Sequence, residues 1–219
     1  MNKNNSLIIT SLSLALITTT VDANKTVDVP EVSGPPTTLK QGEIRKTKRI
    51  RDGKEEINTA RLLDDKTIEV SRDDGCSYTR SNEDRYGPNL TWTNCSSGKW
   101  GSGKVEDIKK EGQLWPFKVG NKVSYKYTAI NSKGKKNKKA FRNCEVTGTE
   151  LATASGKEYP SYKIECKEHS GDRTYWYAPE LETTAFYIRN HKKKRKTVAE
   201  FVERIQYSLT RETGKFLEL

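Results

Sequence analysis

Two dense runs of positive charge are the most chemically specific feature of this 219-residue chain. They are KGKKNKK at residues 133–139 and KKKRK at residues 192–196, and the whole chain carries a formal net charge of +11 at pH 7. Clustered cationic side chains create a local positive potential that attracts anions. The sequence therefore predicts an anion-binding surface. Its candidate side chains are Lys133, Lys135, Lys136, Lys138, Lys139, Lys192, Lys193, Lys194, Arg195 and Lys196.

The candidate partners are polymers or surfaces that carry repeated phosphate or carboxylate groups. Anionic lipid, lipopolysaccharide and acidic polysaccharide all meet this description. No specific nucleic-acid contact is expected. A second explanation also fits the lysines, because charged turns keep the edges of a sheet soluble and unpaired. The sequence alone leaves both explanations open.

Residues suited to catalysis are few. The two histidines, His169 and His191, have no serine or cysteine nucleophile in a recognisable turn motif beside them. Glu168, His169 and Asp172 could form a small metal or acid–base cluster, although Gly171 between them favours a solvated hairpin. No phosphate-binding loop or dinucleotide motif is present. We therefore expect no enzymatic activity, no cofactor and no metal site.

The four cysteines, Cys76, Cys95, Cys144 and Cys166, allow three disulfide pairings. We favour Cys76–Cys95 and Cys144–Cys166, because each pair encloses a stretch with turn residues at its middle. A loop of about twenty residues closed in this way stabilises a fold by roughly 3 kcal/mol. A zinc site is the alternative, but zinc favours C-x2-C spacing and a reducing compartment.

The N-terminal residues have the three parts of an export signal. Lys3 precedes a short apolar stretch at residues 6–17, and Val21-Asp22-Ala23 places small residues at a cleavage site before Asn24. We predict a signal peptide over 1–23, a flexible leader over 24–41, an N-terminal β subdomain over 42–112 and a C-terminal β-meander subdomain over 113–219. No other segment is apolar enough to cross a membrane. These features predict a periplasmic or secreted protein.

Alternation of apolar and polar residues predicts a mainly β protein. In KVSYKYTAI at residues 122–130, Val123, Tyr125, Tyr127 and Ala129 share one face, as in a half-buried strand. Further strands are predicted over 43–51, 58–63, 67–72, 76–80, 91–95, 140–149, 161–168, 173–178, 184–190 and 198–209. Residues 198–204 also fit a helical turn. The predicted fold is an antiparallel curved sheet or half-barrel, an up-and-down meander with two disulfides, in which both basic runs are turns at the same end.

Three motifs resemble a group of small exported bacterial β-rich proteins that contain disulfides and lack an assigned activity. The motifs are GCSYTR at 75–80 with TWTNC at 91–95, LWPFKVGNK at 114–122 and TYWYAPEL at 174–181. The resemblance covers roughly residues 73–207, and Glu182 stands where these proteins usually have a glycine. A looser likeness of architecture, to the half-barrel lipoprotein carriers of the bacterial periplasm, is an analogy. The resemblance implies a fold and a compartment but no mechanism.

Together these features predict an exported, non-enzymatic protein that binds an anionic or amphipathic ligand of the cell envelope. An enzyme acting on envelope polymers is one alternative, and buried carboxylates in a cleft would favour it. A structural or interaction module without a small ligand is another. The aromatic motifs allow two interpretations as well, either packing of the core or an aromatic ligand-binding face.

Overall fold

The chain folds into one antiparallel sheet that closes on itself. The computed structural model describes residues 27–32, 39–192, 195–209 and 216–218. Its strands are β1 (Glu43–Arg51), β2 (Lys54–Leu62), β3 (Thr67–Arg72), β4 (Ser77–Ser81), β5 (Thr91–Thr93), β6 (Gly103–Gly112), β7 (Lys122–Asn131), β8 (Lys136–Ala154), β9 (Lys157–Glu168), β10 (Gly171–Ala178), β11 (Thr183–His191), β12 (Lys196–Leu209) and β13 (Phe216–Glu218). Each strand pairs with the next, and β1 also pairs with β12. The predicted antiparallel meander is therefore confirmed, and its first twelve strands form a closed barrel.

Because every neighbouring pair is antiparallel, the connections alternate between the two ends of the barrel. One end, which we call the mouth, carries the connections at 52–53, 73–76, 94–102, 132–135, 169–170 and the segment between β11 and β12. The opposite end, which we call the closed end, carries the connections 82–90 and 113–121. This alternation determines which loops lie at the same end of the barrel and can contribute to one site.

An apolar core fills one half of the barrel. Val123, Tyr125 and Tyr127 lie on the same buried face of β7, which confirms the predicted alternation. Leu114 and Phe117 of the 113–121 connection pack against them and close this half of the barrel. Full burial of a side chain of this size contributes about 1.5–3 kcal/mol. The core thus holds the β7–β10 wall in place.

The predicted leader packs against the barrel, and the sheet continues across the predicted subdomain boundary. Val29 and Val32 pack on the apolar core, and Leu39 is 4% exposed and exchanges two hydrogen bonds with Asn82. The described parts of the 24–41 leader are therefore held against the closed end, because burial of their apolar side chains offsets the cost of ordering them. Strands β6 and β7 pair across the 112/113 boundary, so the sheet is continuous there.

Both predicted disulfides are confirmed. Cys76–Cys95 joins the connection before β4 to the connection between β5 and β6, both at the mouth. Cys144–Cys166 joins directly opposed residues of β8 and β9. Two disulfides are typical of a protein that folds in an oxidising compartment.

Candidate functional site

The predicted basic side chains lie around the mouth. Lys133 and Lys135 belong to the turn between β7 and β8, and Lys192 and Arg195 belong to the connection between β11 and β12. Lys136, Lys138 and Lys139 lie in β8, and Lys196 begins β12. All eight are exposed, while Lys193 and Lys194 lie outside the described residues. Both basic turns therefore occur at the same end of the sheet, as the meander order predicts. Anion binding by these side chains remains a prediction.

A polar cavity occupies the half of the barrel that the apolar core leaves unfilled. Twelve strands enclose more space than their own inward side chains can fill. The cavity has a volume of about 290 Å³, and β1–β4 and β10–β12 form much of its wall. The arginines that line it are Arg45, Arg49, Arg51, Arg72, Arg80, Arg85, Arg142, Arg173, Arg189 and Arg204.

Arginine is the only charged residue type among the described lining residues of this cavity. The cavity is lined by ten of the chain's thirteen arginines, whereas no lysine, aspartate or glutamate is among its described lining residues. Strand β1 shows how the sequence achieves this: Arg45, Arg49 and Arg51 line the cavity, and Ile44 and Ile50 occupy alternate positions on the other face. Arginine is the cation whose planar fork matches carboxylate and phosphate oxygens. The barrel is therefore lined with anion-recognition groups.

Five of these arginines, the outer arginines, lie toward the mouth. They are Arg51, Arg72, Arg142, Arg173 and Arg189. Two buried carboxylates partly neutralise them. Glu56 lies 2.6 Å from Arg51 and 3.1 Å from Arg72, and Glu168 lies 2.6 Å from Arg142 and 2.9 Å from Arg173. Burial alone would raise the pKa of Glu168, but these guanidinium groups and that of Arg189 lower its pKa to about 2.

Three further arginines, Arg49, Arg80 and Arg85, form what we call the inner triad. None of them forms an ion pair with a carboxylate of the described residues, although Glu56 exerts a favourable field on Arg49. Burial, followed by the like charges of Arg80 and Arg49, lowers the pKa of Arg85 to about 9. Burial also lowers the pKa of Arg49. With a pKa of about 9, Arg85 is mostly charged near neutral pH, and no carboxylate of the described residues pairs with the inner triad.

A second and wider cavity, the mouth chamber, adjoins the first. It has a volume of about 920 Å³, and it shares the five outer arginines with the inner cavity. Its lining also includes Trp92, Trp100, Lys135, Lys136, His169, His191 and Arg195. Burial lowers the pKa of both histidines, which favours their neutral forms. The chamber therefore joins part of the predicted basic surface to the arginine-lined cavity.

The residues considered for catalysis are not brought together as an acid–base cluster. Glu168 is buried and paired with arginines, so it is not part of a solvated hairpin, whereas Asp172 is exposed. Within the described ranges, we find no group of histidine, cysteine, aspartate and glutamate side chains that could hold a metal ion. In the same ranges, no helical segment has the length and apolarity needed to cross a membrane. The arginine-lined cavity was not predicted from the sequence, because the alternation of arginine with isoleucine in β1 does not say which face points inward.

The aromatic motif in β10 serves packing on two faces. Tyr175 and Tyr177 pack with the apolar core, while Trp176 lies in a different cluster with Phe186. Trp115 stacks on Phe117, with their ring centroids 3.6 Å apart. These contacts agree with the packing interpretation of the two aromatic motifs. Trp92 and Trp100 differ from them, because they also line the mouth chamber.

Solved structures that resemble this chain include those of two proteins. The chain matches the crystal structure of the hypothetical lipoprotein YmcC from Escherichia coli K12 with a TM-score of 0.44 and 8% identity, over 80% of this chain and 90% of that one. It also matches a Bacteroides fragilis protein with a YmcC-like fold, with a TM-score of 0.36 and 13% identity, over 78% of this chain and 99% of that one. No family model matches the sequence, and no curated protein matches it.

Proposed function

We propose that this protein is an exported, non-enzymatic binding protein that takes an anionic group of a cell-envelope ligand into its barrel. The single observation that carries the proposal is the arginine-lined cavity, whose described lining contains ten arginines and no lysine. Structural arginines elsewhere in proteins are usually matched by carboxylates, because an unpaired buried charge is costly. Here the inner triad lacks such a match among the described residues, so a bound anion would supply it.

The basic mouth fits this function because it lies on the route to the cavity. Lys135, Lys136 and Arg195 line the mouth chamber, and they would raise the local concentration of anions and their rate of entry. Export is supported by the signal-like segment at residues 1–23, which lies outside the described residues, and by the two disulfides.

Binding of three envelope probes tests the proposal. Purified lipopolysaccharide, phosphatidylglycerol vesicles and alginate would be titrated at low salt against wild type and an Arg49→Gln/Arg80→Gln variant. The matched control is Arg61→Gln, because Arg61 is an exposed arginine paired with Glu69 outside the cavity. At least one probe should bind wild type and the control but bind the double variant about tenfold more weakly. Failure of all three probes, or equal binding by the double variant, would contradict the proposal.

A further inference from the structure

We propose that the inner triad is a subsite for a phosphoryl group, so that the ligand is a phosphate ester or a pyrophosphate. This inference rests on the proposed function and specifies its ligand chemistry. It begins from position: Arg49 comes from β1, Arg80 from β4, and Arg85 from the connection that follows β4. All three line the same cavity, and each lies within electrostatic range of another member. The fold has therefore brought three guanidinium groups from separate segments to the lining of the same cavity.

Two observations show that protein groups leave much of the hydrogen-bonding capacity of the inner triad unused. The Nε atom of Arg80 is buried and has no hydrogen-bond partner among the described residues. The Arg49 side chain forms no ion pair and no hydrogen bond with another described side chain, although its backbone pairs in the sheet. Arg85 is different, because its Nη2 donates to Thr183 Oγ1 at 2.5 Å and its Nη1 donates to the Glu182 carbonyl at 3.4 Å. These contacts fix the position of Arg85, while Arg49 and Arg80 keep donors available for a ligand.

The number of guanidinium groups favours a phosphate ligand over a carboxylate ligand. A carboxylate has two oxygens and one negative charge, so it can pair fully with one guanidinium fork. A phosphoryl group offers three terminal oxygens and a charge of about −1.5 to −2 at pH 7. Three guanidinium groups that line one cavity match that charge and number of acceptors better than they match one carboxylate. Arginine, rather than lysine, is suited to this bidentate recognition of phosphate.

The charge gradient along the barrel favours the inner position for this group. Glu56 and Glu168 are already paired with four of the outer arginines, so the positive charge near the mouth is partly neutralised. Such carboxylates are absent from the inner triad among the described residues. A cavity of about 290 Å³ suits a compact charged group, whereas the chamber of about 920 Å³ has room for the rest of a ligand. The phosphoryl group would thus be innermost.

The test compares pyrophosphate with citrate, a carboxylate ligand that is also multiply charged. Calorimetric titration at low ionic strength would use wild type, Arg49→Gln, Arg80→Gln, Arg80→Lys and the Arg61→Gln control. We expect pyrophosphate to bind wild type at least about tenfold more tightly than citrate. We expect each triad substitution, including the charge-conserving lysine, to weaken pyrophosphate binding by about tenfold, as loss of a charge-assisted hydrogen bond would. The control should bind as wild type does.

A second arm distinguishes the source of the phosphoryl group. Vesicles containing phosphatidic acid would be offered to the same variants, with pyrophosphate as the competitor. Capture by vesicles that pyrophosphate reverses would support a lipid source, and binding of soluble pyrophosphate alone would support a free phosphorylated ligand. Equal affinity for citrate and pyrophosphate, or pyrophosphate binding that Arg80→Gln leaves unchanged, would overturn the inference. Arginine-dependent binding of alginate without pyrophosphate binding would overturn the inference and leave the proposed function standing.

Discussion

Arg142 of β8 and Glu168 of β9 are direct cross-strand partners and form a buried ion pair, with Nε and Oε1 2.6 Å apart. Arg142 also donates hydrogen bonds to the carbonyls of Tyr86 and Gly87. Those two residues belong to the 82–90 connection, which lies between the apolar core and the arginine-lined cavity. This pair therefore fixes the partition between the two halves of the barrel interior.

Removing the carboxylate should destabilise the fold strongly. Glu168→Gln leaves Arg142 and Arg173 buried without their counter-ion, and we expect a loss of about 3–5 kcal/mol in the free energy of unfolding. Urea denaturation followed by tyrosine and tryptophan fluorescence measures it. The control is Glu165→Gln on the same strand, which is exposed and should change stability by less than about 0.5 kcal/mol. Similar values for the two variants would contradict this role of the pair.

The same carboxylate predicts a loss of stability in acid. Its folded pKa of about 2 lies below the ordinary value of 4.5, so its contribution is complete above pH 4.5 and disappears as the pH falls through 2. The full difference corresponds to about 3 kcal/mol. The free energies of unfolding of wild type and Glu168→Gln should therefore converge as the pH falls from about 5 to about 2. A constant difference across that range would be inconsistent with the shifted pKa.

The Cys144–Cys166 disulfide should contribute measurably to stability. It closes a loop with a sequence separation of 22 residues, for which chain entropy predicts a contribution of about 3 kcal/mol. The double variant Cys144→Ala/Cys166→Ala should lose about this amount in urea denaturation, with Cys76–Cys95 kept intact as an internal reference. An unchanged midpoint would show that the Cys144–Cys166 disulfide restrains the unfolded chain too little to affect stability.

The inner triad should lower the stability of the ligand-free protein. Arg80→Met removes a repelling charge from beside Arg85 and keeps most of the apolar stem. We expect it to raise the free energy of unfolding by about 0.5–2 kcal/mol in phosphate-free buffer, as substitutions at functional sites often do. Thermal unfolding with Arg61→Met as the exposed control measures this effect. Destabilisation by Arg80→Met but not by the control would indicate a purely structural arginine.

The lysines of the mouth should affect how binding depends on salt. Lys135→Gln/Lys136→Gln removes two charges that line the mouth chamber, so the affinity for lipopolysaccharide should fall at low salt and its salt dependence should weaken. Lys118→Gln/Lys157→Gln is the matched control, because it removes the same charge from exposed positions at the closed end. Equal effects of the two pairs would mean that only net charge matters.

The course of the strands was predictable wherever alternation was clear. Strands β1 and β3 were predicted with their observed bounds, and residues 198–204 belong to β12 rather than to a helical turn. Strand β6 was missed because its sequence, GKVEDIKKEG, is mostly charged and exposed. Its backbone pairing with β7, rather than apolar burial, makes it a strand. Local pattern alone does not encode such a partner.

The arginine-lined cavity was not predictable by the same reasoning. In β1, alternation separates Arg45, Arg49 and Arg51 from Ile44 and Ile50, but it does not say which face points inward. Isoleucine inside and arginine outside is the ordinary arrangement, so the sequence pattern favours a site at the exposed basic runs of the mouth. In the closed barrel the arginine face of β1 points inward instead. The β1–β12 pairing that closes the barrel joins residues more than 140 positions apart.

The β1–β12 pairing also determines which end of the barrel a linker before β1 or after β12 would occupy. Glu43 at the start of β1 pairs with Ser208 near the end of β12, so the chain enters and leaves the barrel at the closed end. The mouth lies at the far end of both strands, where Arg51 pairs with Ala199. A linker attached before β1 or after β12 would therefore present the mouth outward from its support. Protein immobilised through a linker at the closed end would therefore keep its cavity entrance unobstructed.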